Sequence, residues 1–388
     1  MGLEKNRKKK TNFDNIMYVV AFSIYGIVSL LGASALIVLD ERVKDIAYIV
    51  SILLFSIVML HKKYEKVEYV IYGILCVFTL YTSIRIHKML FFINLLAIVA
   101  SKEIELKRVV KVDIVIKTII LLIHCTIYIY QYIFNYAIIE DTIIMDLGRN
   151  RHALYFNHPN LVAQIVLWLA FDILYLKQCD KKSIILTFIL LLITYMVTDS
   201  RTMFLMYIVF LMLYYGKNLF NEKNYKKIID FIQKFSIDIL AIFSLILALL
   251  SDKGLYIVGL INKLTSGRVY YSVIALDKFG INLFPNVSAI NIEDYTLVDN
   301  FYIRAMVLFG IIFIILMSIM TKLIGKDENM ILKIIIIVFA INLFSEYNSI
   351  SIGNAIPLLL MGNIIINGTI AKDIIKLKDK FIKKEKCD

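Results

Sequence analysis

Tryptophan, proline, histidine and charged residues are all scarce in this chain. Its 388 residues include one tryptophan, three prolines and five histidines, and only 19% of them are charged. The four cysteines are scattered, two in apolar stretches (Cys76 and Cys125) and two in basic ones (Cys179 and Cys387). Because these residues do not occur with metal-ligand spacing, the sequence predicts neither a metal site nor a disulfide framework.

Long apolar runs dominate the chain instead. Hydrophobic residues make up 60% of it, and apolar blocks of roughly 15 to 25 residues recur from end to end. A helix of about 20 apolar residues can cross a hydrocarbon core of about 30 Å, so these blocks indicate membrane spans. We therefore predict an all-α, polytopic membrane protein with a single membrane domain over residues 1–388, the lipid bilayer as a partner, and about twelve spans. The predicted spans are 17–39, 46–60, 67–83, 89–100, 114–139, 161–176, 183–198, 202–215, 236–251, 301–321, 331–345 and 352–370. The first is too long for the core of a signal peptide, so we expect it to be retained.

The basic residues indicate how the chain is oriented in the membrane. A net charge of +12 would also suit a nucleic-acid-binding protein, but the lysines and arginines lie in short clusters beside apolar segments, so we expect no nucleic-acid partner. The predicted loops form two alternating sets, and the set with both termini has more than twice as many basic residues as the other. By the positive-inside rule, both termini are cytoplasmic, residues 371–388 form a basic cytoplasmic tail, and loops 140–160 and 251–300 are external.

The external loop 251–300 is unusually long. It is rich in leucine, isoleucine, valine, tyrosine and phenylalanine, which distinguishes it from a disordered segment. Residues 254–264 have the pattern of an amphipathic helix at the membrane surface, and Thr265-Ser266 could cap a second helix that contains Arg268. We expect this loop to be ordered and, with loop 140–160, to form the functional site.

Among the arginines in the external loops and at the external ends of spans are Arg149, Arg151, Arg201, Arg268 and Arg304. Guanidinium groups bind phosphate oxygens in bidentate fashion and stay charged at physiological pH, so several of them converging on one cavity would bind a pyrophosphate. Structural alternatives remain open. Arg201 would snorkel to the interface, Arg149 and Arg151 would be solvated loop charges, and Asn157-His158-Pro159-Asn160 would simply begin a helix.

Two ionisable residues fall inside predicted spans instead. Lys117 and Asp172 lie near predicted cytoplasmic ends. We expect both side chains to snorkel to the interface rather than to relay protons.

Four short motifs follow one another along the last two thirds of the chain. The stretch ALYFNHPNLVA, residues 153–163, resembles the signature G-x-F-x-x-P-N-x-x-A without its glycine, and Thr198-Asp199-Ser200-Arg201 is similar to a T-x-S-R turn. Ser266-Gly267-Arg268 resembles an S-G-R helix start, and residues 299–303 (DNFYI) followed by Gly310 resemble H-[NSQ]-x-x-L with a glycine at the same distance. On these motifs the chain resembles the superfamily of O-antigen ligases and polysaccharide polymerases.

The resemblance implies a metal-independent membrane glycosyltransferase without a cofactor. Its substrate would be an undecaprenyl-pyrophosphate-linked oligosaccharide, polymerised on the outer face of the bacterial cytoplasmic membrane into capsule, exopolysaccharide or O-antigen. A flippase and a chain-length regulator of the same pathway would be partners. The implied catalytic residues are Asp299, Arg268 and Arg201, and the implied substrate-binding residues are Arg149, Arg151, His158, Asn160, Ser200, Asn300 and Arg304.

Asp299 replaces the histidine of the ligases, which favours polymerase over ligase activity. Its carboxylate would either take the proton of the acceptor hydroxyl or cap the helix that begins near Phe301. A lipid-linked oligosaccharide flippase is the alternative from another class, but it should show two similar halves, and the sequence has no such repeat. A small-molecule transporter should place polar residues in the middle of its spans, and here the polar residues gather at their ends.

Overall fold

The computed structural model describes residues 2–134, 143–146, 149–251, 253–265, 267–286, 298–325 and 328–368, and the side chains of these except 2–11, 143–150 and Leu264. Several predicted features therefore lie outside the described residues. They are parts of the loops 140–160 and 251–300, Ser266, the side chain of Arg149 and the tail 371–388.

Helices make up most of the described chain. They are α1 (Gly2–Leu31), α2 (Glu41–His61), α3 (Lys66–Arg85), α4 (Leu90–Ala100), α5 (Leu106–Phe134), α6 (Pro159–Leu176), α7 (Lys181–Thr198), α8 (Arg201–Tyr215), α9 (Glu222–Ser251), α10 (Tyr256–Leu264), α11 (Arg268–Phe279), α12 (Phe301–Arg304), α13 (Ile311–Leu323), α14 (Met330–Leu343) and α15 (Pro357–Gly368). Between α5 and α6, strands β1 (Ile143–Asp146) and β2 (Arg149–His152) pair antiparallel, with Ile143 opposite His152.

The length and composition of these helices confirm a multi-pass membrane protein. Among the described residues, seven helices are long and apolar enough to cross a bilayer: residues 12–31 of α1, then α2, α3, α5, α6, α7 and α9. Four shorter apolar helices, α4, α13, α14 and α15, accompany them. Each of the twelve predicted spans overlaps a helix, but twelve crossings and the external position of the long loop stay predictions.

Polar side chains mark where several helices begin. The carboxylate of Asp180 accepts a hydrogen bond from the backbone N–H of Ser183 at 2.8 Å, which caps α7. The side-chain hydroxyl of Ser183 and this N–H together lower the pKa of the carboxyl. Asn329 caps α14 in the same way, accepting from the N–H of Ile331 at 2.9 Å. Since the first N–H groups of a helix have no partner within it, such caps define the starts of these helices. The predicted cap at Thr265 is wrong, because Gly267, with φ of +86°, is the residue that precedes α11.

The predicted span 301–321 is interrupted in the middle. After α12, residues Ala305–Phe309 form a π-helical turn that ends at Gly310, whose φ is +90°. The carbonyls of Met306 and Val307, freed by the break, accept hydrogen bonds from the backbone N–H and the side-chain amide of Asn282. A helix can break within a membrane protein when other protein groups satisfy its backbone in this way.

The chain divides into two compact units. Unit 1 comprises residues 1–55, 105–225 and 349–357. Its centre is α6, the most buried of the seven candidate spans, which packs against α5, α7 and α8. Trp168 of α6 is completely buried.

Unit 2 comprises residues 56–104, 226–348 and 358–388. Within it α14 is buried along almost its whole length, and α3 packs against α4. The rings of Phe91, Phe309 and Phe313 pack together beside the broken helix, with centroids 4.1–6.2 Å apart.

Candidate functional site

The predicted site residues fall into two groups, one in each unit. In unit 1, Arg151 of β2 is buried, with 6% of its surface exposed. Its Nε donates a hydrogen bond to the Thr198 carbonyl at 3.1 Å, and its Nη2 donates to Oδ1 of Asn160 at 2.5 Å. The guanidinium therefore connects β2, the start of α6 and the end of α7. The alternative of a solvated loop charge does not apply to Arg151.

Asn160 is the meeting point of three predicted site residues. Besides Arg151, its Oδ1 accepts a hydrogen bond from Oγ of Ser200 at 3.3 Å. Its backbone N–H donates to Nδ1 of His158 at 3.1 Å, so the imidazole caps α6 while Pro159 occupies the first helical position. Hydrogen bonds thus bring together the first motif and the turn that follows α7.

Arg201 differs from Arg151 in its exposure. It is the first residue of α8, and 69% of its side chain is exposed, with Nε 3.6 Å from Oδ1 of Asp199. An exposed pair at this distance is weak and leaves the guanidinium open to another anion. Arg149 lies in β2 opposite Asp146, and its side chain is outside the described residues.

A strained turn leads from β2 into the first motif. Leu154 and Tyr155 have φ values of +48° and +60°, and the N–H of Phe156 bonds to the Ala153 carbonyl at 2.8 Å. Positive φ at both central residues is the pattern of a type I′ turn, which usually contains glycine or asparagine. Each such residue costs on the order of 1–3 kcal/mol, so the surrounding structure must hold the turn in place.

The segment after α1 supplies that support within unit 1. The N–H of Ala35 donates to the Tyr155 carbonyl at 2.7 Å, and the N–H of Asn157 donates to the Ala33 carbonyl at 2.9 Å. His124 of α5 lies 2.7 Å from Oγ of Ser34 through its Nε2 and stacks on Phe156 with ring centroids 4.2 Å apart. Sequence reasoning missed both His124 and Ser34, because each lies far from the motif along the chain.

In unit 2, Arg268 contacts Asp299 and a residue that was not predicted, Glu346. Nη2 of Arg268 lies 2.9 Å from Oε1 of Glu346 and 3.4 Å from Oδ2 of Asp299. Glu346 is the more buried carboxylate, with 6% of its side chain exposed against 37% for Asp299. Together these three groups carry a formal charge of −1. In the sequence, Glu346 could have been recognised as a candidate because it is a lone carboxylate between two apolar spans.

The last two predicted residues lie inside unit 2. Asn300 caps α12: its Oδ1 accepts from the N–H groups of Tyr302 and Ile303 at 3.0 and 3.4 Å. The helix-cap alternative for Asp299 is therefore wrong. Arg304 is buried, donates to the Val298 carbonyl at 3.1 Å and stacks over the ring of Tyr347 at 3.6 Å.

Among the described residues, no group of three or more histidine, cysteine, aspartate or glutamate side chains is arranged to hold a metal ion. No family model, curated protein or solved structure matches the chain.

Proposed function

We propose that this protein is a membrane glycosyltransferase that polymerises undecaprenyl-pyrophosphate-linked oligosaccharide repeat units at the outer face of the bacterial cytoplasmic membrane. The observation that supports this most directly is the contact between two of the predicted motifs. Arg151 and Asn160 connect the first motif to the turn at Thr198–Ser200 through hydrogen bonds. Distant polar segments that a buried guanidinium holds together at the ends of apolar helices are typical of a site rather than of plain connections.

The donor pyrophosphate would bind at Arg201. Arg201 has the exposed, weakly paired guanidinium that a pyrophosphate needs. Arg151, whose donors already bond to protein oxygens, would hold the turn that presents Arg201. The hydrogen bond between Ser200 and Asn160 would also hold this turn in place.

The acceptor sugar would bind at Asp299. Asp299 is the accessible carboxylate of its cluster and would take the proton of the attacking hydroxyl. Arg268 would keep Asp299 ionised, and Glu346 would hold Arg268 in place. In this proposal Arg268 acts on the acceptor rather than on the leaving group.

The reaction is a single displacement. The acceptor hydroxyl oxygen bonds to the anomeric carbon of the donor, the bond from that carbon to the pyrophosphate oxygen breaks, and the proton passes to Asp299. Undecaprenyl pyrophosphate leaves with additional negative charge, which the fixed charge of Arg201 stabilises, and the anomeric configuration inverts.

The test is polymer length in proteoliposomes that contain the purified protein and a polyprenyl-pyrophosphate-linked repeat unit. We expect the wild type to form polymer and Arg201→Ala to lose about 10²-fold or more in turnover. Arg108→Ala is the matched control, since Arg108 is also exposed and pairs with a nearby acid, Glu105, at 2.6 Å. Equal activity in the two variants would contradict the role of Arg201.

The same assay distinguishes the alternatives. Transfer of one glycan to a different acceptor would identify a ligase, and movement of the substrate across the bilayer without a new bond would identify a flippase. The proposed orientation, with both termini in the cytoplasm, is tested by reporter fusions. Fusions after Lys182 and Lys234 should report the cytoplasm, and those within 140–160 and 252–300 the outside. A cytoplasmic report from 252–300 would overturn the proposal.

A further inference from the structure

Three ionisable side chains meet inside unit 1, away from the site described above. Lys117 and Asp113 lie one turn apart on α5, and Asp172 lies on the neighbouring α6. The Nζ of Lys117 donates hydrogen bonds to Oδ2 of Asp113 and, at 2.9 Å, to Oδ2 of Asp172. The side chains of Lys117 and Asp113 are completely buried, and that of Asp172 is 6% exposed. The prediction that Lys117 and Asp172 snorkel to the interface is therefore wrong.

The charges of this triad do not balance. Two ionised carboxylates against one ammonium leave a net charge of −1 in a buried, apolar setting. An isolated buried charge is so costly that the group takes up a proton instead, and two carboxyl groups in contact commonly share one. Oδ1 of Asp113 is buried and has no hydrogen-bond partner in the part of the chain that the structure describes. Both carboxyl groups contact the same Nζ of Lys117 through Oδ2, so they lie on either side of one ammonium.

We propose that the triad is a proton-binding site, in which one proton shared by Asp113 and Asp172 makes the cluster neutral. The proton supplies the missing compensating charge and allows the two carboxyl groups to hydrogen bond. It also joins α5 to α6, the most buried candidate span of unit 1. Loss of the proton at high pH would leave two carboxylates competing for one ammonium and would destabilise the unit.

No other charged group described on the packed helices balances the cluster. On α1, Asp14 is at the level of Glu105, because its neighbour Asn15 accepts a hydrogen bond from the N–H of Glu105 at 3.1 Å. That level is about two helical turns from Asp113. The charged residues on the other helices packed against α6 are Lys181 and Lys182, which are exposed in the first turn of α7, and Arg201, which is exposed at the start of α8.

Infrared difference spectra of the purified full-length protein in detergent test this proposal. A protonated carboxyl group has a C=O stretching band that shifts in heavy water, whereas an ionised one has none. At neutral pH we expect Asp113→Asn and Asp172→Asn each to lose a band equivalent to one carboxyl group. Lys117→Met removes the ammonium, so both carboxyl groups should be protonated and the spectrum should gain a band equivalent to one further carboxyl group. Asp180→Asn is the control, because that exposed carboxyl is ionised and should change nothing.

If Asp113→Asn and Asp172→Asn have the same protonated-carboxyl C=O band as the wild type, the proposal is overturned, since both carboxylates of the wild type would then be ionised. A wild-type stability that depends on sodium rather than on pH would overturn it too, in favour of a bound cation. If the Asn variants fail to fold, titration of the wild type decides. A band equivalent to one carboxyl group should vanish at high pH together with the stability of the protein, and a spectrum independent of pH would refute the site.

Discussion

The contrast between Arg151 and Arg201 gives the sharpest prediction, because two arginines that were both predicted to bind a pyrophosphate have opposite environments. In Arg151→Ala, the Thr198 carbonyl and the Asn160 side chain each lose a charged donor. A hydrogen bond from a charged group contributes about 1.5–3 kcal/mol, and Asn160 keeps its bond from Ser200. We therefore expect a loss of about 2–4 kcal/mol in the free energy of unfolding. Arg201→Ala removes an exposed, weakly paired side chain and should cost less than about 0.5 kcal/mol.

The assay is unfolding of both purified variants in detergent micelles with increasing sodium dodecyl sulfate, followed by turnover at matched amounts of folded protein. Arg151→Ala should lose stability, and Arg201→Ala should keep stability but lose turnover. Arg151→Lys should recover part of the stability, since an ammonium keeps the charge but lacks the fork that reaches two acceptors. If Arg151→Ala is as stable as the wild type, the connecting role assigned to this guanidinium is wrong.

Three further predictions concern unit 2. Gly310→Ala should destabilise the protein by several kcal/mol, because φ is +90° and the new Cβ would lie 2.4 Å from the Leu283 carbonyl oxygen. Gly73→Ala is the control, since a Cβ there would have no neighbouring atom within 4 Å, and it should be neutral or stabilising in the same unfolding assay. Asn300→Ala should cost about 0.5–2 kcal/mol in the free energy of unfolding through loss of the cap. Asp299→Asn should keep its stability and lose about 10²-fold in turnover. Similar unfolding midpoints for the two variants would contradict the assignment of a structural role to Asn300 and a catalytic role to Asp299. Glu346→Ala should cost about 3–5 kcal/mol, since it leaves the partly buried Arg268 without its nearer carboxylate. An unfolding curve like that of the wild type would show that the pair is unimportant.

Local sequence signals were enough to predict the helical architecture. Apolar runs of sufficient length have few stable alternatives to a helix in a membrane, and every predicted span overlaps one. The start of α12 at Phe301 and the start of α6 beside Pro159 were also predictable, because caps and proline act within a few residues. The contact between Arg268 and Asp299, by contrast, was not predicted.

What only the tertiary structure decided is which charges are buried and what each one contacts. Lys117 was predicted to snorkel because it lies near a predicted cytoplasmic end. Its partner Asp172 is 55 residues away on another helix, so the sequence did not reveal the pair. Arg151 and Arg201 look alike in sequence, but one lies among the carbonyl and amide oxygens of two other segments and the other faces outward. Glu346 was recognised only by its contact with Arg268, which lies 78 residues earlier in the chain. Electrostatic partners depend on distances that packing sets, whereas helix formation depends on neighbours along the chain, so the sequence alone determined where the helices lie and the packing determined what their charged residues do.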